Sequence, residues 1–223
     1  MRILRVAVTL TATACAVIAG TAPALSAPTA DPIPEVGVLT PEAEAALYAE
    51  LEKSEPVIAT YNGREINLAN GWQGAQACTE VPSGEVYCYD STEEADEALP
   101  LIDPAGEKLR AAQADAAAKT DAGILAFDDC LYPYVCLFEN GNGGGRRLQW
   151  SADGTKQLAD WDFRDKASSG CVNRLTGGAL VYDARTGLPD PYMTLANHFC
   201  VNFITAGYPG GGSFNDKADY LSL

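Results

Sequence analysis

Seven cysteines stand in 223 residues, and their positions set the terms for the rest of the chain. Cys15 lies in an N-terminal stretch built like a secretory signal: Arg2 and Arg5 open it, Val6 to Gly20 is largely apolar, and Ala24-Leu25-Ser26-Ala27 supplies small residues at its end. The apolar run is interrupted by threonines and stopped by Pro23 and Pro28, too short and too broken for a bilayer-spanning helix. Residues 1–27 are therefore expected to be a cleaved signal peptide. Without it an even six cysteines remain in a chain bound for an oxidising compartment, the condition under which cysteines pair. Many connectivities are open in principle. Spacing favours the local ones: Cys78 with Cys88 across a hairpin turned by Pro82-Ser83-Gly84, Cys130 with Cys136, and Cys171 with Cys200. Zinc is the weaker use of these thiols, since no pair has the C-x2-C spacing of a zinc knuckle.

Composition narrows the function classes. A hydrophobic content of 47% with 20% charged residues describes a chain that buries a core. The 15 Lys and Arg face 30 Asp and Glu, so a formal net charge of -15 repels phosphate backbones and anionic lipid surfaces. Neither nucleic acid nor membrane is expected as a partner. Any histidine-dependent triad or zinc site would have to route through the single His198, and no G-x-S-x-G elbow or other nucleophile motif points towards it. The expectation is a secreted, extracellular, monomeric protein that is not an enzyme.

Along the chain, residues 28–102 read as an acidic α+β segment, residues 103–122 as an Ala-rich helical linker, and residues 123–223 as a β-rich domain. Ala27 to Val38, rich in Pro and Ala, reads as a mobile leader. Thr40 caps a helix expected over Pro41 to Lys53, with Pro41 in its first turn and Glu42 and Glu44 near its positive end. Val57 to Tyr61, the Asn62-Gly63 turn and the return through Ile66 and Leu68 predict a hairpin. A second hairpin carries Cys78 and Cys88, and Ser91 with Glu94 forms a capping box that starts another helix. DPAGEKLRAAQADAAAKT, from Asp103 to Thr120, has high helix propensity but few large apolar side chains. Beyond Gly123, short apolar runs at Ile124 to Phe127, Val135 to Phe138, Leu148 to Trp150, Ala179 to Tyr182 and Cys200 to Ile204 predict an antiparallel sandwich.

Two stretches of that C-terminal part repeat one pattern: FRDKASS at Phe163 to Ser169 and FNDKADY at Phe214 to Tyr220. The repeat predicts a duplicated Greek-key unit. The first copy is preceded by CLYPYVCLFENGNGGGRRLQW. Together these residues resemble the secreted actinobacterial proteins grouped with the Streptomyces metalloproteinase inhibitor, and the microbial βγ-crystallins, over about Cys130 to Leu223. The resemblance implies a mostly β fold, a βγ-crystallin-like double Greek-key sandwich preceded by the small α+β segment. Phe138 begins the first unit, although Gly143 replaces the inner aromatic of its hairpin. For the second unit Phe203-x4-Tyr208-x-Gly210 fits the hairpin formula but lies close before Asp216, and Tyr182 is the preferred start.

In the resembling crystallins two acidic loops bind calcium, a hard cation served by several carboxylate, carbonyl and hydroxyl oxygens. The residues here that could do so are Asp165 and Ser168 in the first loop, with Ser169 adjacent, and Asn215, Asp216 and Asp219 in the second. Arg164 stands where the pattern wants Asn or Asp. The same residues can instead close turns on local backbone N–H groups and bind nothing. The inhibitor side of the resemblance implies an extracellular protease as partner, met by an exposed loop: Gly187 to Asn197, bracketed by Cys171 and Cys200, or the loop closed by Cys130 and Cys136. Asn140 to Gly145 lacks the GK[ST] ending of a phosphate loop. Asp128-Asp129 and Asp160-Trp161-Asp162 read as solvated acids rather than a glycosidase pair.

Overall fold

The computed structural model describes residues 33–120 and 130–223. The expected signal peptide and the expected strand at Ile124 to Phe127 lie outside the described residues. In chain order the first stretch forms β1 (Val36–Val38), α1 (Pro41–Leu51), β2 (Ile58–Tyr61), β3 (Arg64–Asn67), β4 (Ala77–Glu80), β5 (Val86–Tyr89), α2 (Thr92–Ile102) and α3 (Pro104–Thr120). The second stretch is all strand: β6 (Val135–Phe138), β7 (Arg147–Trp150), β8 (Thr155–Gln157), β9 (Ser169–Val172), β10 (Ala179–Tyr182), β11 (Pro191–Leu195), β12 (Phe199–Asn202) and β13 (Tyr220–Ser222), joined by turns and short 3-10 segments. The architecture is mixed α+β, with two sheets and more strand than helix.

Local chemistry accounts for most element boundaries. Thr40 Oγ1 accepts the Ala43 N–H at the start of α1, and Ser91 Oγ accepts the Glu94 N–H at 3.1 Å at the start of α2. Glu94 reaches back to the N–H of Asp90, one residue before the cap, at 3.1 Å. Asp103 ends α2 and opens α3, its Oδ1 taking the Gly106 N–H at 2.9 Å while Pro104 occupies the first helical position. Asn62 and Gly63, with φ of 50° and 71°, make the two-residue turn between β2 and β3.

The five-stranded sheet runs β1-β11-β10-β13-β8 and the eight-stranded sheet β12-β9-β6-β7-β4-β5-β2-β3. Each sheet borrows a strand. β8 leaves the first half of the C-terminal part to pair with β13, and β12 leaves the second half to pair with β9. The FRDKAS and FNDKAD repeats sit at the crossing and bond reciprocally: the Asp165 N–H donates to the Ala218 carbonyl at 2.9 Å, and the Asp216 N–H to the Ala167 carbonyl at 3.1 Å. Phe163, Phe214, Ala167 and Ala218 are all fully buried. The equivalence extends outward, because the Ser168 N–H donates to Phe138 and the Asp219 N–H to Tyr182, at 2.9 and 2.7 Å. Tyr182 thus occupies the place in the second half that Phe138 has in the first.

Residues before 121 complete these sheets. β4 pairs parallel with β7, Cys78 opposite Leu148, and carries the remaining strands of both N-terminal hairpins with it. The expected leader is ordered at its end, because Val36, Gly37 and Val38 pair with Met193, Tyr192 and Pro191 of β11. Prolines and alanines disfavour a strand, but three residues suffice when a neighbouring edge supplies the partners.

Two of the three core clusters lie against the larger sheet. Between the sheets lie Leu137, Leu148 and Trp150 of one sheet, Val181, Met193 and Leu221 of the other, and Trp72, Trp161 and Phe163 at one end. Trp150 meets Trp161 edge-on with ring centroids 5.3 Å apart. The opposite face of the larger sheet is covered by Leu99 and Ile102 of α2, packed on Cys130, Tyr134, Cys136, Phe138 and Cys171. Strands β6, β7 and β9 are consequently buried on both faces. Arg147, 1% exposed, is matched there by Asp96 of α2, at 3.1 Å from Nη1 to Oδ2, and by the Thr92 carbonyl at 3.2 Å. Tyr134 donates to Asp103 at 2.7 Å.

Three disulfides fasten this arrangement. Cys78–Cys88 and Cys171–Cys200 each join residues directly opposite across an antiparallel pair, with Cα atoms 4.1 and 4.0 Å apart, and Cys130–Cys136 closes a short loop at 5.8 Å. Because α2 completes the burial of Arg147, Asp96→Ala should lower whole-chain stability by about 3 kcal/mol, the lower end of the cost of stripping one partner from a buried ion pair. Equilibrium urea unfolding of the oxidised chain, followed by far- and near-ultraviolet circular dichroism, should show one coincident transition shifted to lower denaturant.

Candidate functional site

β10 and β11 are held in register by Val181 opposite Met193 and Tyr182 opposite Tyr192, which leaves Asp183 to Asp190 as their connection. Thr186, Gly187, Leu188 and Pro189 are exposed at its tip, Leu188 at 58%, while Asp190 at its foot is fully buried. Gly187 makes the bend with a φ of 72°, a value that disfavours any side chain.

An exposed turn of this length is ordinarily soft, yet its flanks are tied down by carboxylates. Asp190 Oδ1 accepts the Arg185 N–H at 2.7 Å and its Oδ2 accepts the Tyr48 hydroxyl at 2.9 Å. The Asp190 carbonyl takes the Leu39 N–H at 2.8 Å. Asp219 Oδ2 accepts the Ala184 N–H at 2.6 Å, and Asp183 accepts the Tyr208 hydroxyl. Within the loop, Arg185 Nε donates to the Pro189 carbonyl at 3.0 Å. Acceptor carboxylates aimed at backbone N–H groups and phenols are strong, short-range anchors, and they tie the loop to helix α1 through Tyr48, to the residue before β13 through Asp219, and to Tyr208 beyond β12.

The structure divides the Gly187 to Asn197 stretch that the sequence offered as one loop. Only its first four residues belong to the exposed connection; Pro191–Leu195 is β11, flanked by β1 and β10, with Met193 and Leu195 in the core. The other candidate is covered. Cys130, Tyr134 and Cys136 are fully buried under α2, and Asn173 and Arg110 hold the carbonyls of Cys130 and Tyr132 at 2.9 Å. Sequence reasoning assigned Asp183, Asp190, Tyr48 and Tyr208 no role in this loop, and Tyr208 entered only through the hairpin formula Phe203-x4-Tyr208-x-Gly210. The available signal was a pair of aspartates flanking a Gly-Leu-Pro turn between two strand-sized runs.

The residues considered for calcium divide between the two repeat loops. Asp165 and Asp216 occupy left-handed turn positions at φ of 55° and 53°. Ser168 Oγ donates to Asp216 Oδ1 at 3.2 Å, and Asn215 Nδ2 to Asp216 Oδ2 at 2.6 Å. Ser169 Oγ is spent on the Asn140 carbonyl at 2.7 Å. Asp219 is 2% exposed, bonded to Ala184 and ion-paired with the Arg164 guanidinium, which also lies 3.5 Å from Asp165. Among the described residues no group of three or more His, Cys, Asp or Glu side chains is gathered as a metal ion needs. Asp216, Ser168 and Ser169 bond protein groups and the Arg164 guanidinium stands beside Asp165 and Asp219, while Asn215 Oδ1 is buried without a hydrogen-bond partner. His198 is exposed at φ 62°, its N–H donating to the Val172 carbonyl at 2.7 Å.

Burial pushes the Asp219 carboxyl up to about 6, against the opposing pull of the Ala184 N–H; Asp165 and Asp183 add to the rise and Arg164 resists it. The folded protein therefore retains this proton at a pH where the unfolded chain, near 3.8, has lost it. The group's contribution to stability is fully present below about 4 and is lost as pH rises through about 6. A carboxyl-carbon NMR titration should place the Asp219 midpoint near 6, with Arg164→Gln moving it higher and Asp165→Asn moving it lower.

Residues 125–191 match the model of peptidase inhibitor family I36, a stretch that contains the whole β10–β11 loop and ends on the first residue of β11. No curated protein and no solved structure matches the chain. No helix among the described residues is long and apolar enough to cross a membrane. Disulfide pairing agrees with an extracellular setting, and an inhibitor family implies a protein that is not an enzyme and a protease as its partner. In its C-terminal half, over residues 125–191, this chain carries a peptidase inhibitor family I36 domain.

Proposed function

We propose that the protein is a secreted inhibitor of an extracellular protease, with metalloproteinases first among the targets, and that it engages the target with Thr186 to Pro189. The observation that carries this reading is the anchoring of an exposed tip from beneath by Asp183, Asp190 and Asp219. A loop already fixed loses little conformational freedom when an enzyme closes on it, so more of the contact energy appears as affinity. The family match over the same loop supports it. Leu188, 58% exposed among the described residues, offers the apolar contact.

A second reading, a structural βγ-crystallin-like protein without a protease partner, draws support from the strand exchange and from the reciprocal bonds of the two repeats. Calcium binding is the added claim of that reading, and the Arg164 guanidinium beside Asp165 and Asp219 weighs against it.

The test uses the oxidised chain from residue 28 onward against a panel of extracellular metallo- and serine proteases, with calcium titrated by calorimetry in parallel. Inhibition of at least one protease at micromolar concentration or below is expected. Leu188→Ser should weaken it roughly thirty-fold, the equivalent of about 2 kcal/mol for one leucine moved from water into a pocket, with the melting temperature unchanged. A protein that inhibits no member of the panel and binds calcium stoichiometrically would establish the crystallin-like reading instead.

A further inference from the structure

We propose that Tyr48 is a positioning residue for the β10–β11 loop, so that the protease-binding unit is the chain from Ile33 onward and not the family-matched residues alone. This rests on the inhibitor reading for its consequence, though not for its geometry. Asp190 has three acceptor atoms engaged, and two of their donors, the Tyr48 hydroxyl and the Leu39 N–H, come from residues before 50, far outside the 125–191 match. The third donor is the Arg185 N–H inside the loop. The carboxyl therefore links the N-terminal segment to the loop through one rigid side chain.

Tyr48 is itself placed firmly. Thr40 and Pro41 fix where α1 begins. Leu47 and Leu51 on the same helix pack with Tyr182, the last residue of β10. The Tyr48 ring meets Tyr220 of β13 edge-on, with centroids 6.0 Å apart. Alongside, Val38 of β1 sits opposite Pro191 and fixes the approach of Leu39. A fully buried carboxyl deprived of a donor is costly and turns towards another partner. Removal of the Tyr48 hydroxyl therefore frees Asp190 to release Arg185, and the loop gains states that a bound protease must suppress.

The experiment compares Tyr48→Phe with wild type in the full oxidised chain, and takes Tyr192→Phe as control, because that hydroxyl bonds Glu35 at 3.4 Å on the neighbouring edge. Amide hydrogen exchange at Arg185 should accelerate at least ten-fold in Tyr48→Phe and stay unchanged in the control, with both variants folded by near-ultraviolet circular dichroism and exchange in the core strands β6 and β9 unaltered. Against a protease that the wild type inhibits, Tyr48→Phe should raise the inhibition constant several-fold and hasten cleavage within residues 185–189. Unchanged exchange at Arg185 overturns the clamp whatever the protein inhibits. Faster exchange with an unchanged inhibition constant overturns the positioning role. A wild type that inhibits nothing, while Arg185 exchange still rises in Tyr48→Phe, refutes the inhibitor reading and leaves the clamp standing.

Discussion

Two backbone hydrogen bonds, from Asp165 to Ala218 and from Asp216 to Ala167, hold the point where the two halves of the β-rich part cross. Each half needs the other there. Phe163 and Phe214 can be buried only if both repeats arrive, and β8 and β12 find partners only in the opposite half. A strand lent to the neighbouring sheet leaves behind a vacancy that only the reciprocal loan fills, so neither half is a stable unit by itself. The position of Tyr182, and with it the loop that starts one residue later, is inherited from this crossing through the Asp219 N–H.

Acidic residues serve two opposed purposes in this molecule. Most of the excess that gives a net charge of -15 is solvated, where it discourages contact with anionic surfaces. Asp96, Asp103, Asp190 and Asp219 work inside instead, taking bonds from Arg147, from Tyr134 and from the backbone at the foot of the loop. Asp219 shows the tension in such use. It is desolvated enough to hold its proton towards neutrality, yet its acceptor role and the Arg164 guanidinium favour the charged form.

What sequence could convey depended on whether a signal was local. The Asn62-Gly63 turn, the caps at Thr40 and Ser91, and the limits of β6 and β10 follow from neighbouring residues and could be read directly. The repeat pointed to Phe163 and Phe214, and spacing pointed to Tyr182. β1, β8 and β13 carry no such signal, because a three-residue strand has no period and exists by virtue of its partner. In Pro191 to Leu195 a period-two signal was present, with Pro191, Met193 and Leu195 buried and Tyr192 and Thr194 between them; reading Gly187 to Asn197 as one exposed loop sets that alternation aside. The parallel pairing of β4 with β7 has no local counterpart at all. Donor oxygens for calcium could be counted in the repeats, but only coordinates reveal that Ala184 and Arg164 engage Asp219 and that Ser168 and Asn215 donate to Asp216.

The pairing of Val36 with Met193 spans most of the polypeptide. A ribosome releases the first of these strands long before the second, and until Pro191 to Leu195 has emerged β1 lacks the edge it pairs with. Loop closure on that scale slows folding and favours sequences that tolerate waiting. The composition of the sequence around residues 27–34, rich in proline and alanine, suits a segment that must remain soluble until its partner strand arrives. Vectorial synthesis therefore cannot finish the N-terminal part first: the earliest strand is among the last to be locked, and the foot of the loop is completed only when nearly the whole chain has been delivered.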